Sequence, residues 1–261
     1  MNIIHLSIKI CHTTKMLDHV VATFGQITPY KLSAKYKSEH SIKEKLYVHA
    51  NGSKVLNVIF LPWGMGVNFA KRTIVPNLSP KGDSVLVYEF HPSILNADVE
   101  LVSKSFGFAS DAVANEVNNL IDKVGYKNIN LIGISLGCAV LSMSANKIKL
   151  FTAVTMIVPG NDITEIVWSG NRTKQLKKQL LKTDAIFEDV KAKWSNISPE
   201  NNLDALKGRN LKVILAKKDT FIRYEHGLEL VRKAKLYGLD PIVIVKNIDH
   251  ATAILSTKLV D

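Results

Sequence analysis

Cysteine is scarce in this chain. Two occur in 261 residues, Cys11 and Cys138, far apart in sequence. No CxxC pair and no Cys/His cluster with zinc-ligand spacing is present, which argues against a disulfide framework or a structural zinc. A reducing, cytoplasmic setting is expected, with no metal and no organic cofactor. Long apolar runs are also missing. No stretch reaches the ~18 uninterrupted apolar residues of a membrane-spanning helix, so no stable membrane insertion is expected. Residues 1–24 do not read as a secretory signal, because Lys9, Lys15 and Asp18 interrupt their apolar residues. Arginine is the third shortage. Only five of the 34 basic residues are arginine (Arg72, Arg172, Arg209, Arg223 and Arg232). Base reading and bidentate phosphate contacts favour arginine, and the lysines are dispersed. The formal charge of +11 therefore reads as a solvated lysine surface, and no nucleic-acid partner is expected.

What is present is ordinary globular composition, 46% hydrophobic and 22% charged. The length suits one domain, 1–261, with a helical extension over about 1–26. Ile4, Ile8, Leu17, Val20, Val21 and Phe24 recur at helical spacing and predict a helix over 3–24. Runs at 45–50 and 54–60 flank Asn51-Gly52, which predicts a β-hairpin. Further along, strands are expected at 84–90, 128–132, 150–158, 211–216 and 241–245. Helices are expected at 111–124, with Asp111 as cap, at 138–146 and at 224–237. Such alternation implies a mostly parallel sheet covered on both faces. About fifty residues between Gly160 and Leu211 break the rhythm. They hold a basic amphipathic helix, 173–182, and a second helix, 184–194. This segment, about 161–206, reads as an enlarged crossover forming a small lid.

The most informative motif is Gly133-Ile134-Ser135-Leu136-Gly137, which lies between an apolar strand and an apolar helix. That is the setting of a nucleophile elbow, where a tight turn lifts a serine hydroxyl clear of the sheet. The glycines two residues either side are expected because side chains there would clash. The helix beginning beneath the serine favours developing negative charge.

A serine hydroxyl needs a base, and the base needs an orienting acid. Of the eight histidines, His250 follows the last expected strand, at a strand C-terminal end, where open parallel sheets carry their sites. His91 follows strand 84–90 and is read as a pocket residue. His226 falls inside a helix and reads as a packing residue. Asp219, in the loop after strand 211–216, is the first choice of acid. Asp162 is the alternative, and Asp249 points away from its chain neighbour His250. Cys138, three residues after Ser135, reads as a small packing residue.

The elbow, with Ser135, Asp219 and His250 in the order nucleophile, acid, base, resembles the α/β-hydrolase superfamily over about residues 45–256. The resemblance implies a sheet of about eight strands with an antiparallel second strand, and a lid after the strand ending at Val158. The stretch from Ser198-Pro199 to Asp219 is also similar to the segment that precedes the acid in that family. It implies an oxyanion hole of two main-chain amides, one from Leu136 and one from the loop Trp63-Gly64-Met65-Gly66. There Met65 is the expected donor, with Gly64 as alternative. Trp63 stands where many members carry histidine, and it is expected to line the pocket. Trp168, with Phe187 and Trp194, suggests a small or medium apolar group. The activity implied is hydrolysis of a small-molecule acyl substrate through an acyl-enzyme. Carboxylic esters come first; thioesters, lactones, peptides and a non-catalytic binding role are the alternatives.

Overall fold

The computed structural model describes residues 36–259. The helix expected over 3–24 and Cys11 lie outside them. Seven strands form one sheet: β1 (Ile42–Val48), β2 (Val55–Phe60), β3 (Ser84–Phe90), β4 (Asn128–Ile134), β5 (Ala153–Ile157), β6 (Asn210–Ala216) and β7 (Ile242–Lys246). Their spatial order is β1-β3-β2-β4-β5-β6-β7. Only the β1–β3 pairing is antiparallel. About eight strands with an antiparallel second strand were expected; among the described residues there are seven, and the first of these is the antiparallel one.

The hairpin expected at Asn51-Gly52 does not form. A tight turn is present, with Ser53 N–H donating to the Ala50 carbonyl at 3.0 Å and Gly52 at φ 78°. Asn51 is not in the left-handed region, so the turn is not the doubly left-handed type that joins paired strands. β3, buried along its whole length, takes the place between β1 and β2 instead. An apolar strand of this kind lowers its free energy most in the middle of a sheet, covered on both faces.

Successive residues of a strand face opposite sides, and two cores result. Val58 and Phe60 of β2 join one cluster; Ile59 and the following Leu61 join the other. The first cluster is covered by α3 (Val99–Val124), α4 (Gly137–Ala145) and α8 (Tyr224–Leu236). The second is covered by α1 (Val67–Thr73), α2 (Val75–Leu78) and α9 (His250–Ser256). Full burial of a side chain such as Phe60 or Ile59 contributes about 1.5–3 kcal/mol. α3 begins earlier than its predicted start at 111. Asp98 caps it, accepting from the Leu101 N–H at 3.0 Å, whereas Asp111 sits mid-helix and pairs with Lys147.

Between β5 and β6 the chain forms α5 (Ile163–Ser169), α6 (Lys174–Leu181) and α7 (Phe187–Trp194), followed by short 3-10 turns. α6 and α7 match the two expected helices; α5 was not expected. Ile163, Leu176, Val190 and Trp194 pack on the first core, and the Trp194 indole N–H donates to the Val99 carbonyl at 3.0 Å. Among the described residues no helix is long and apolar enough to cross a membrane.

Candidate functional site

Ser135 follows β4 directly and precedes α4. Its φ is 53°, a left-handed conformation that costs a side-chain-bearing residue of order 1 kcal/mol or more. Main-chain bonds hold it there: its N–H donates to the Ile157 carbonyl and its carbonyl accepts from the Cys138 N–H, both at 2.9 Å. The flanking glycines are required by close approach, though not to each other. A Cβ on Gly133 would lie 2.9 Å from the Cys138 Cα, and one on Gly137 only 2.3 Å from the Phe60 carbonyl oxygen of β2. The turn is thus wedged against the neighbouring strand.

Asp219 and His250 come from the loops after β6 and β7. Those loops are tied side by side, Lys217 N–H to the Lys246 carbonyl at 2.9 Å and Lys218 N–H to the Ile248 carbonyl at 3.1 Å. Asp219 is buried. One carboxylate oxygen accepts from the Phe221 and Ile222 N–H groups at 2.8 and 2.9 Å. The other lies 2.6 Å from His250 Nδ1. His250 is the first residue of α9, and its Nε2 lies 3.1 Å from Ser135 Oγ. With Nδ1 held by a carboxylate, Nε2 is the nitrogen available to accept the serine proton. The three residues selected from the sequence therefore meet, across separations of 115 and 31 positions.

The other acids lie elsewhere. Asp162 caps α5, accepting from the Thr164 and Glu165 N–H groups at 2.7 and 3.0 Å. Asp249 caps α9 through Thr252.

Solved structures share this architecture. An acylaminoacyl peptidase of Pyrococcus horikoshii is similar with a TM-score of 0.59 at 14% identity, covering 83% of this chain and 37% of that one. An esterase of Pyrococcus furiosus matches with a TM-score of 0.53 at 13% identity, over 87% of this chain and 90% of that one. A puromycin-hydrolysing peptidase of Mycobacterium tuberculosis gives 0.53 at 13% identity, over 77% and 32%. The chain has the α/β-hydrolase fold. This chain spans a little over a third of the acylaminoacyl peptidase chain it matches. No protein-family model matches the sequence, and no curated protein matches it significantly.

In this α/β-hydrolase fold a pocket opens at Ser135 and His250, and its lining includes Trp63, Leu95, Leu136, Val167 and Phe221. Trp63 lines the pocket, as expected, and Leu136, expected as an oxyanion donor, lines it too; the Trp63 indole N–H donates to the Pro92 carbonyl at 2.9 Å. Three other expectations are corrected. The Met65 amide is engaged within its own turn, donating to the Pro62 carbonyl at 3.2 Å, and its side chain is buried in the core on the opposite face of the sheet. Gly64, at φ 80°, supplies the left-handed position of that turn; Pro62 and Trp63, rather than Gly64 or Met65, line the pocket. His91 turns away from the pocket, stacks on Tyr36 at 4.8 Å and accepts from the Ser93 N–H at 3.0 Å. Trp168 faces outward, edge-on to Phe187 at 5.5 Å, and its chain neighbour Val167 lines the pocket instead.

Cys138 is buried and free, and burial pushes its thiol far above the ordinary range. It is a packing residue. The sequence reading missed Arg172, Thr173 and Phe221, which also line the pocket. No pattern marked them: the folded crossover brings Arg172 and Thr173 to the pocket, and Phe221 arrives on the loop that carries Asp219.

Proposed function

We propose that the chain is a serine hydrolase that cleaves small carboxylic esters through an acyl-enzyme. One observation carries this reading. A serine on a strained turn lies 3.1 Å from a histidine whose other nitrogen lies 2.6 Å from a buried aspartate, at the mouth of an apolar pocket. Ser135 Oγ attacks the acyl carbon, and His250 Nε2 takes its proton and delivers it to the leaving group. Asp219 fixes the imidazole tautomer and stabilises the cation. A water activated by His250 then releases the acid. The oxyanion is met by the Leu136 amide at the start of α4 and by the Trp63 amide of the 62–65 turn, Pro62 having no N–H to offer. The inserted helices α5–α7 act as the lid. The pocket holds about 60 Å³, room for a handful of water-sized groups, which favours a short acyl or alcohol chain.

A second reading is peptide hydrolysis on the same residues, favoured by the peptidase names of two of the three similar structures described above. Labelling by a fluorophosphonate, together with turnover of a p-nitrophenyl ester series and of peptide p-nitroanilides, tests both. Ester turnover that peaks at short chains and vanishes in Ser135→Ala supports the esterase. Anilide turnover exceeding ester turnover supports the peptidase. A folded protein that resists the fluorophosphonate and turns over neither overturns both.

A further inference from the structure

A carboxylate is buried beside the site and takes no part in the steps above. Glu89, next to the end of β3, is 4% exposed. Val85 and Val87 of the same strand lie in the second core, and alternation puts Glu89 on their face. A row of apolar side chains thus ends in a carboxylate. A buried carboxylate is costly unless it is paired and hydrogen-bonded, and this one is both. Its Oε2 accepts from the Val67 N–H, the first of α1, at 2.9 Å. Gly66 precedes α1 and has no side chain to cap it, so the acceptor comes from the neighbouring strand instead. Its Oε1 lies 2.5 Å from Lys43 Nζ.

The way that lysine is supplied is a second observation. β1 and β3 pair Ile42 with Phe90 and Glu44 with Glu89, with a shift of register between. Lys43 is therefore the extra residue of a β-bulge, a device that re-aims a side chain. The turn over residues 62–65 is tied to the end of β3 from before, within and behind. The Leu61 N–H donates to the Tyr88 carbonyl at 3.1 Å, the Trp63 indole N–H to the Pro92 carbonyl, and the Val67 N–H to Glu89. Pro62 and Trp63 of this turn line the pocket together with Ser135.

We propose that Glu89 is a positioning residue for hydrolysis: its carboxylate, aimed by Lys43, holds the 62–66 turn in the place beside Ser135 that the reacting acyl group requires. This rests on the serine-hydrolase reading, in which that turn carries an oxyanion amide. A misplacement of about 1 Å in such a group can cost about 100-fold in rate.

The test measures kcat and KM on a short p-nitrophenyl ester. Fluorophosphonate labelling, carried to completion, counts the competent molecules, so that unfolded ones do not enter. Glu89→Ala should lower kcat by about 10- to 100-fold and leave KM nearly unchanged, the mark of an interaction made in the transition state. Glu89→Gln, which keeps an oxygen for the Val67 N–H, should recover most of that loss. Val67→Pro removes the N–H at a helix position that accepts proline and leaves Glu89 and Lys43 in place. It should match Glu89→Ala, and it decides the matter if that variant does not fold. Lys43→Met should lose less, and should add nothing to Glu89→Ala. A pair of ketones reads the oxyanion directly. Ser135 Oγ bonds to the carbonyl carbon of an alkyl trifluoromethyl ketone, His250 takes the hydroxyl proton, and the carbonyl oxygen becomes the anion; the matching methyl ketone binds unreacted. Glu89→Ala should weaken the first by the factor lost in kcat and the second hardly at all. Unchanged kcat in Glu89→Ala and Val67→Pro, or equal weakening of both ketones, overturns the proposal. A parent chain that neither labels with the fluorophosphonate nor binds the trifluoromethyl ketone overturns the hydrolase reading beneath it.

Discussion

Among the described residues, His250 and His226 each lie within 3.1 Å of a serine hydroxyl, and the two pairs are built differently. His250 Nε2 lies 3.1 Å from Ser135; His226 Nε2 lies closer to its partner, 2.7 Å from Ser169. Behind His250 stands the buried Asp219 carboxylate at 2.6 Å. Behind His226 stands the Asn161 side-chain oxygen at 3.2 Å, with Glu165 at 3.8 Å. Ser169 ends a regular helix and bonds back to the Glu165 carbonyl, whereas Ser135 is lifted off the sheet by a left-handed turn at a pocket. A short serine–histidine contact is therefore not enough. A carboxylate hydrogen-bonded to the far nitrogen, a hydroxyl facing a pocket and space beside it set the Ser135 pair apart from the Ser169 packing contact.

The largest effect should come from the serines themselves. Ser135→Ala should lower turnover by on the order of 10⁴–10⁶, while Ser169→Ala changes it by no more than about threefold; kcat on a short p-nitrophenyl ester reads both. Equal losses would erase the distinction. Next come the acids. Asp219→Asn should lower kcat by about 10⁴ by favouring the wrong imidazole tautomer, and Glu165→Gln should leave the rate within the same decade. Third, Gly137→Ala should cost about 3 kcal/mol or more in denaturant unfolding, because the added carbon meets the main chain of β2, which cannot move aside as a side chain could. An unfolding midpoint equal to that of the parent would contradict the wedge.

The smallest effect concerns charge at His226. Burial, the largest influence, and Arg223 push its pKa down; Glu165, Glu225 and Asp162 oppose them without reversing the direction. The unfolded chain therefore takes up a proton near pH ~6.5 before the folded one does. The stability gained by keeping this ring neutral is full above that pH and is lost as pH falls from there through the lower folded value. His226→Gln should flatten this part of the curve of unfolding midpoint against pH between 5 and 8. An unchanged slope would assign the acid sensitivity to other groups.

Much of the site could be read from local pattern. The elbow announces itself in five residues, and Asp219 and His250 each follow an apolar strand, where loops converge on one edge of a parallel sheet. Three things were hidden, each for a physical reason. The partner of β2 is a strand 25 to 30 positions further on, and only the burial of β3 on both faces decides that it enters between β1 and β2. The orientation of Trp168 turns on helix phase: one residue is about 100° of rotation, so Val167 faces the pocket and Trp168 does not. The Met65 amide is taken by its own turn, and a Trp-Gly pair in isolation does not say which amide a turn consumes.

The sequence by itself determined which three residues to bring together: a serine in a glycine-flanked turn, with an acid and a histidine in order at strand ends, because those demands are local and spaced by element length. Tertiary structure decided which strands are neighbours, which histidine meets a carboxylate, and that the crossover segment brings Arg172 into the pocket wall. Those outcomes depend on contacts between residues far apart in the chain, whose free energy exists only once the two cores have closed around the sheet.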